Sequence, residues 1–191
     1  MVCAARNGQV VTDEEVVQKV QGGEKEGYVK VVERYQKKLF WYLQRLINQP
    51  NEEVEDVLQD VFINAYTNLK GFDTRRKFSS WVYRIAHNKA VDYMKKKKLK
   101  TTTIEDKEEF FETNEKLFEE LAIERERARE VKKTIECLEV KYREVIVLYF
   151  YDEKSYEDIS EILHVPTGHV GVLLKRAKEK LKKLMSKNYY Y

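Results

Sequence analysis

The stretch "SYEDISEILHVPTGHVGVLLKRAKEKL", residues 155–181, decides the fold class of this chain. The turn "HVP" separates two segments whose apolar residues recur at helical spacing. These residues are Ile159, Ile162 and Leu163 before the turn, and Val170, Leu174, Ala177, Leu181 and Leu184 after it. Two short helices joined by a tight turn form the helix-turn-helix pattern, whose second helix enters the major groove of DNA. An ordinary helical hairpin has the same pattern, so the surface residues must distinguish the two.

The charge on the second segment favours DNA. Residues 175–187 contain seven bases and one acid, a net charge of +6, and such a basic face binds phosphates. The residues just before them, Gly171, Val172 and Leu173, cannot form the bidentate contacts that distinguish bases. We therefore predict binding mainly through phosphates and groove shape, with one or two base contacts from Lys175 or Arg176.

Composition extends this prediction to the whole chain. Only two prolines and seven glycines occur in 191 residues, which favours helices over a turn-rich β fold. The net charge is +3, but residues 70–100 carry +9 and residues 105–126 carry −7. Two basic blocks therefore flank an acidic stretch. The predicted fold class is all-α, with two small helical domains joined by an acidic linker and the helix-turn-helix in the second.

Residues that could support catalysis or bind metal are scattered. Cys3 and Cys137 are far apart and near no histidine cluster, so the sequence indicates neither a disulfide framework nor a zinc site. His87, His164 and His169 have no partners at ligand spacing. We predict no catalytic residues, no metal and no cofactor. No signal peptide or membrane-spanning apolar run is present, so we expect a cytoplasmic protein.

The sequence predicts four helices in the first half of the chain. Thr12 and Glu15 have the spacing of a capping box at the start of the first. The others are predicted at 27–47, at 52–70 after an Asn51 cap, and at 77–97. Near the other end, Pro166 is expected in the first turn of the last helix.

The helix at 77–97 carries an unusual strip of side chains. At 100° per residue the strip contains Trp81, Arg84, Asn88, Asp92 and Lys95. Aromatic rings stack on unpaired bases and cations follow the backbone, so this strip predicts binding to single-stranded nucleic acid. A core position for Trp81 is the alternative.

Three segments give the chain a family resemblance. "DVLQDVFINAYTNLKGFD" (56–73) and "FSSWVYRIAHNKAVDYMKKKK" (78–98) resemble the second conserved region of bacterial sigma factors. "YREVIVLYFYDEKSYEDISEILHVPTGHVGVLLKRAKEKL" (142–181) resembles their fourth region. Nothing resembles the first or third region, and this two-region layout resembles that of the extracytoplasmic-function, or group four, class. The resemblance covers 13–98 and 122–186.

The resemblance implies a function and a domain plan. A sigma factor binds core RNA polymerase and directs promoter-specific initiation, and is not itself an enzyme. Residues 12–98 would form a region 2-like domain for polymerase docking and for minus-ten recognition and melting. Residues 99–121 would be the acidic linker, and residues 122–187 a region 4-like domain that recognises the minus-thirty-five element.

The family's roles carry over to matching positions. The implied polymerase-binding residues are Asp56, Leu58, Gln59, Asp60 and Phe62. The implied minus-ten residues are Trp81, Arg84, Asn88, Asp92, Lys95, Lys96, Lys97 and Lys98. The implied helix-turn-helix contacts are Ser155, Thr167, Gly168, His169, Lys175 and Arg176. The implied partners are the β′ coiled coil and β flap of core polymerase, and promoter DNA including its non-template single strand. Whether an anti-sigma factor also binds the chain is left open.

The opening of the last helix departs from the family pattern. Family members commonly have Thr where this chain has His169, and a Lys-Ser-Arg-like triplet in place of residues 171–173. This departure puts base readout in question, while the DNA-binding role stands. Two other hypotheses are kept: a helix-turn-helix regulator that binds duplex DNA alone, and a helical adaptor that does not bind DNA.

Overall fold

A computed structural model describes residues 11–100 and 129–188, and the regular structure within these ranges is helical. The helices are α1 (Asp13–Gln21), α2 (Gly27–Ile47), α3 (Asn51–Asn68), α4 (Phe78–Lys100), α5 (129–136), α6 (Val140–Ile146), α7 (Tyr156–Leu163) and α8 (Thr167–Asn188). We call residues 11–100 the N-terminal half and residues 129–188 the C-terminal half. From residue 101 onward the predicted acidic linker lies outside the described residues. No helix in the described ranges is both long and apolar enough to cross a bilayer.

The N-terminal half is a bundle built around α2. This helix buries one apolar stripe along its whole length, and α3 and α4 pack against it. The stripe consists of Val31, Tyr35, Leu39, Tyr42, Leu43, Leu46 and Ile47. Its period of three to four residues is what the sequence predicted, because burying one face of a helix requires that spacing.

Two predictions about helix starts can be compared with the structure. The capping box is confirmed: Thr12 Oγ1 accepts from Glu15 N at 3.2 Å, and a Glu15 carboxylate oxygen accepts from Thr12 N at 2.9 Å. The Asn51 cap is wrong, because α3 already begins at Asn51 and Pro50 occupies the cap position without a side-chain bond. Val54 N donates to the Pro50 carbonyl at 3.2 Å, so proline starts this helix through its backbone.

The C-terminal half holds the predicted helix-turn-helix in α7 and α8. His164 ends α7 in the left-handed region at φ 57°, which turns the chain sharply. Val165 N bonds to the Ser160 carbonyl at 3.1 Å, and Ser160 Oγ donates to the Val165 carbonyl at 2.6 Å. Pro166 lies one residue before α8 instead of in its first turn, and its carbonyl accepts from His169 N at 2.8 Å.

The C-terminal half also contains a π-helical turn. α6 runs directly into Val147–Tyr151, which continues the helix with wider turns. Val147 and Leu148 are fully buried, while Phe150 and Tyr151 are exposed by 51% and 44%. The extra residue in such a turn shifts the helical period, which carries two aromatic rings to the surface.

The two halves pack against each other. α7 lies along α4, and α6 with the π-helical turn lies beside α2. The buried apolar residues of both halves belong to one cluster. The sequence predicted two domains but not this contact between them.

Candidate nucleic-acid interface

The α8 helix separates its charges from its core residues. Val170, Leu174 and Ala177 are buried against the rest of the C-terminal half. The predicted contacts Lys175 and Arg176 are exposed on the other side. Thr167, Gly168 and His169 at the start of the helix are exposed as well. The α8 surface therefore offers cations for phosphates and one imidazole near its N-terminus.

The triplet at residues 171–173 contributes little to that surface. Leu173 is only 8% exposed and belongs to the core. Val172 is 42% exposed and can make only apolar contacts. A methyl group placed on Gly171 would lie 3.5 Å from Tyr156 Cε2, an ordinary contact, so packing within the described protein does not require glycine here.

Two predicted contact residues have local hydrogen bonds instead of free hydroxyls. Ser155 caps α7, and its Oγ accepts from Asp158 N at 3.1 Å. Thr167 Oγ1 donates to Ser160 Oγ at 3.2 Å. Both side chains therefore fix the helix-turn-helix geometry whether or not they also touch DNA.

The predicted strip on α4 is only partly available. The Trp81 ring is half-buried and packs against Phe72 and Phe78, with ring centroids 5.0 and 5.5 Å away. Asn88 and Asp92 are exposed and Arg84 is half-buried. The core alternative for Trp81 is thus partly realised, because the ring packs on two aromatic residues yet stays partly exposed.

The lysines at the end of α4 divide into two groups. Lys95, Lys96 and Lys98 are exposed. Lys97 Nζ contacts Oε1 of Gln49, which lies just before α3, and is 3.4 Å from a carboxylate oxygen of Glu53 on α3. Lys97 therefore joins α4 to α3, and three lysines of the run remain exposed.

The predicted polymerase-docking residues form a face of α3. Asp56, Gln59 and Asp60 are exposed, with Asp60 Oδ2 only 3.8 Å from Lys89 Nζ. Leu58 and Phe62 are partly buried and pack on the core. This is an acidic and amide surface above two apolar residues, and it suits a basic partner helix.

A cleft lies between α4 and the turn that follows α7. It has a volume of about 460 Å³, and its lining includes Arg76 and Arg84 on one side and Ser160, Glu161 and His164 on the other. Arg76 and Glu161 form an ion pair at the surface of this cleft. The strip of α4 and the turn of the helix-turn-helix therefore lie directly opposite each other.

One polar cluster was missed by sequence reasoning. Glu144 of α6 is 3% exposed, yet it accepts from the Tyr42 hydroxyl at 2.5 Å and lies 2.6 Å from His87 Nδ1. Its only sequence signal is an acid directly before the apolar run 145–148. Within the described residues no group of histidine, cysteine or acidic side chains could hold a metal ion.

Sequence comparison finds known families in both halves. The family model of sigma-70 region 2 matches residues 31–100, and that of sigma-70 region 4 matches residues 128–181. Over 175 residues the chain is 33% identical to the extracytoplasmic-function RNA polymerase sigma factor SigW of Bacillus subtilis, covering 87% of this chain and 93% of that protein. It is 34% identical over 177 residues to the extracytoplasmic-function sigma-E factor of Escherichia coli K12, covering 88% and 92%.

Solved structures share the fold. CnrH in complex with the cytosolic domain of CnrY superposes with a TM-score of 0.68 at 27% identity, covering 92% of this chain and 97% of that one. The sigma factor RpoE of Bartonella quintana, in complex with the anti-sigma factor NepR, gives a TM-score of 0.67 at 18% identity, covering 83% and 96%.

Proposed function

The chain belongs to the extracytoplasmic-function sigma factors of RNA polymerase, and we propose that α3 docks on the core enzyme while α4 and α8 contact promoter DNA. As a member of this family it directs promoter-specific initiation of transcription. The polymerase supplies the catalysis, and the sigma factor supplies binding.

The proposed docking surface is the exposed face of α3. Asp56, Gln59 and Asp60 would meet the β′ coiled coil, with Leu58 and Phe62 supporting them from below. A second contact would join the C-terminal half to the β flap. The exposed carboxylates of this face support the proposal, because opposite charges on two helices set their orientation and raise the association rate.

The proposed minus-ten surface is the accessible part of α4. Asn88 and Arg84 would hold the non-template strand, the exposed part of the Trp81 ring would stack on a base, and Lys95, Lys96 and Lys98 would follow the phosphates. Lys97 is a weaker candidate, because its ammonium group is already engaged by α3.

The proposed minus-thirty-five surface is α8. The observation that carries this role is the separation of a buried apolar stripe from an exposed basic one on a single helix. Lys175 and Arg176 would contact phosphates, and Gly168 would offer its backbone N–H near the helix N-terminus. One or two base contacts would come from Lys175 or Arg176, and His169 and Val172 are also exposed near the start of the helix.

Run-off transcription tests the function directly. The purified chain is added to core polymerase on a library of genomic fragments, and specific start sites are expected only when both are present. Tight binding to duplex fragments without polymerase would favour a stand-alone regulator. Association with polymerase that yields no specific start sites would favour an adaptor.

Solved complexes of sigma factors suggest a further partner. CnrH was solved with the cytosolic domain of CnrY, and RpoE with the anti-sigma factor NepR. We extend this partner class to the present chain as a proposal. Co-purification from cells that express the tagged chain would identify such a partner.

A further inference from the structure

We propose that Gln21 is a positioning residue for promoter melting, because its side-chain amide holds the turn that packs Phe72 against the Trp81 ring. The proposal rests on the proposed function, in which Trp81 stacks on an unpaired base. It adds a residue of α1, which lies outside the proposed docking and DNA surfaces.

A single side chain links α1 to the turn at residues 69–72, between α3 and α4. Gln21 is the last residue of α1, and its Nε2 donates to the Leu69 carbonyl and to the Phe72 carbonyl, each at 2.8 Å. An amide NH2 group has two donors, so one side chain can satisfy both acceptors. Leu69 and Phe72 are themselves buried. Gln21 therefore fixes the start and the end of this turn.

The turn that Gln21 holds supplies one of the rings around Trp81. The centroid of the Phe72 ring lies 5.0 Å from that of Trp81 and 5.5 Å from that of Phe78. The Phe78 centroid is 5.5 Å from that of Trp81, so each of the three rings contacts the other two. Phe72 and Phe78 are buried, while Trp81 is partly exposed. The position of Phe72 therefore determines how the Trp81 ring is presented at the surface.

A second side chain of α1 holds the start of α4. Glu14 Oε1 accepts from Phe78 N at 2.8 Å. The first N–H groups of a helix have no partner within the helix, and a carboxylate at this end is favoured by the helix dipole. Helix α1 therefore holds both rings on which Trp81 packs, one through Gln21 and the other through Glu14.

This arrangement links a residue that is remote from DNA to the melting step. A ring that stacks on an extruded base binds more tightly when it is already held in place, because ordering a side chain during binding costs entropy. Loss of the Gln21 hydrogen bonds should free Phe72 and, with it, the Trp81 ring. Asn88 and Lys95 lie farther along α4 and should keep their positions. The defect should therefore appear in melting and not in polymerase docking.

The test uses Gln21→Glu and Gln21→Met, which keep the length of the side chain but remove its amide donors. Gln18→Glu and Gln18→Met are the matched controls, because Gln18 is an exposed residue of the same helix and takes the same changes. Circular dichroism checks that each variant is folded. If one variant of Gln21 fails to fold, the other decides.

Tryptophan fluorescence of the full chain, free of polymerase, reports on the Trp81 ring. The chain contains two tryptophans, so the reference and all variants carry Trp41→Phe, which leaves Trp81 as the single tryptophan. We expect both Gln21 variants to lower the fluorescence anisotropy of Trp81 and to increase its quenching by acrylamide. The Gln18 controls should leave both quantities unchanged.

Permanganate footprinting with core polymerase measures melting. The Gln21 variants should form roughly 2- to 10-fold fewer open complexes on duplex promoter DNA, the factor that corresponds to a net loss of about one hydrogen bond. The loss should be much smaller on a template that is mismatched across the bubble, and the affinity for core polymerase should stay unchanged. A protein that is merely destabilised would lose activity on both templates.

Unchanged Trp81 fluorescence in a folded Gln21 variant would overturn the proposal. An unchanged yield of open complexes on duplex DNA, or equal losses on both templates, would also overturn it. If the reference chain forms no open complexes with core polymerase, the proposed function fails instead. The fluorescence of the free chain then still shows whether Gln21 positions Trp81, so the two failures can be distinguished.

Discussion

Gly171 has room for a methyl group, although it lies in the helix that the proposal assigns to DNA. Glycine weakens a helix interior by about 0.5–1 kcal/mol relative to alanine, so we expect Gly171→Ala to raise the free energy of unfolding by that amount. Urea denaturation measures it. Gly168→Ala, in the first turn, is the control with a smaller expected gain. If the Gly171→Ala variant is more stable yet binds promoter DNA more weakly, the glycine is needed for the backbone of α8 to approach DNA closely.

Asp152 lies where the two halves meet, near Arg45 and the Tyr83 hydroxyl, and burial raises its pKa to about 6 from an ordinary value of 3.8. The folded chain therefore binds more protons than the unfolded chain between these values. As pH rises from about 4 to 6, this group lowers the free energy of unfolding, and the penalty is complete above about pH 6.

Carboxyl NMR titration should show a midpoint near pH 6 for Asp152. Asp152→Asn should abolish that part of the pH dependence of stability. A midpoint near 4 would mean that the carboxyl group is solvated, as it would be with the halves apart.

At the scale of helices, α3 can be tested by charge reversal. Asp56→Arg with Asp60→Arg should weaken binding to core polymerase, because the basic partner helix would then meet like charges. Glu33→Arg, an exposed acid on α2, is the matched control. Titration of labelled protein with core polymerase gives the affinity, and circular dichroism checks the fold. Equal affinities for the double variant and the wild type would remove α3 from the docking site.

The α8 helix offers a paired test of phosphate binding. Arg176→Ala should weaken promoter binding across all sequences and lower the salt slope of the logarithmic affinity by about one unit. Lys180→Ala is the matched control, because the ammonium group of Lys180 already contacts Glu139. In competition assays, single base changes in the upstream element should cost less binding free energy than single base changes in the minus-ten element. A loss above about 2 kcal/mol for single upstream changes would show that α8 reads bases.

Two substitutions in α4 distinguish a role in DNA binding from a role in packing. Asn88→Ala should reduce open-complex formation without changing thermal stability, because Asn88 is exposed. Trp81→Ala should also lower stability by a few kcal/mol, because its ring packs on Phe72 and Phe78. Permanganate footprinting on closed and mismatched templates measures melting. Equal defects of Asn88→Ala on both templates would contradict a melting role.

At the scale of the whole molecule, the sequence predicted the positions of helices and turns, because these depend on the local spacing of residues. The apolar period located α2, and the "HVP" turn located the junction of α7 and α8. The contact of Trp81 with Phe72 could not be predicted, because Phe72 comes from the turn before α4 and helical periodicity does not describe it. The site residues themselves came from family resemblance more than from spacing.

The packing of the halves was beyond sequence reasoning for a physical reason. Glu144 is 102 residues from Tyr42 and 57 from His87 along the chain. No local period links positions so far apart, and a single acid beside an apolar run also fits a solvated helix. Only the three-dimensional structure shows that three elements enclose it.

The Glu144 cluster also has a consequence for inheritance. Its three side chains are encoded far apart, yet the buried Glu144 carboxylate keeps both of its contacts only while Tyr42 and His87 are present. Two substitutions that are each unfavourable alone could be neutral together, because residues in one network have non-additive effects. A chimera that joins the N-terminal half of this chain to the C-terminal half of a paralogue with no acid at position 144 would contain Tyr42 and His87 without their partner. The two halves are therefore expected to evolve as a matched pair, even though the proposal assigns them to different promoter elements.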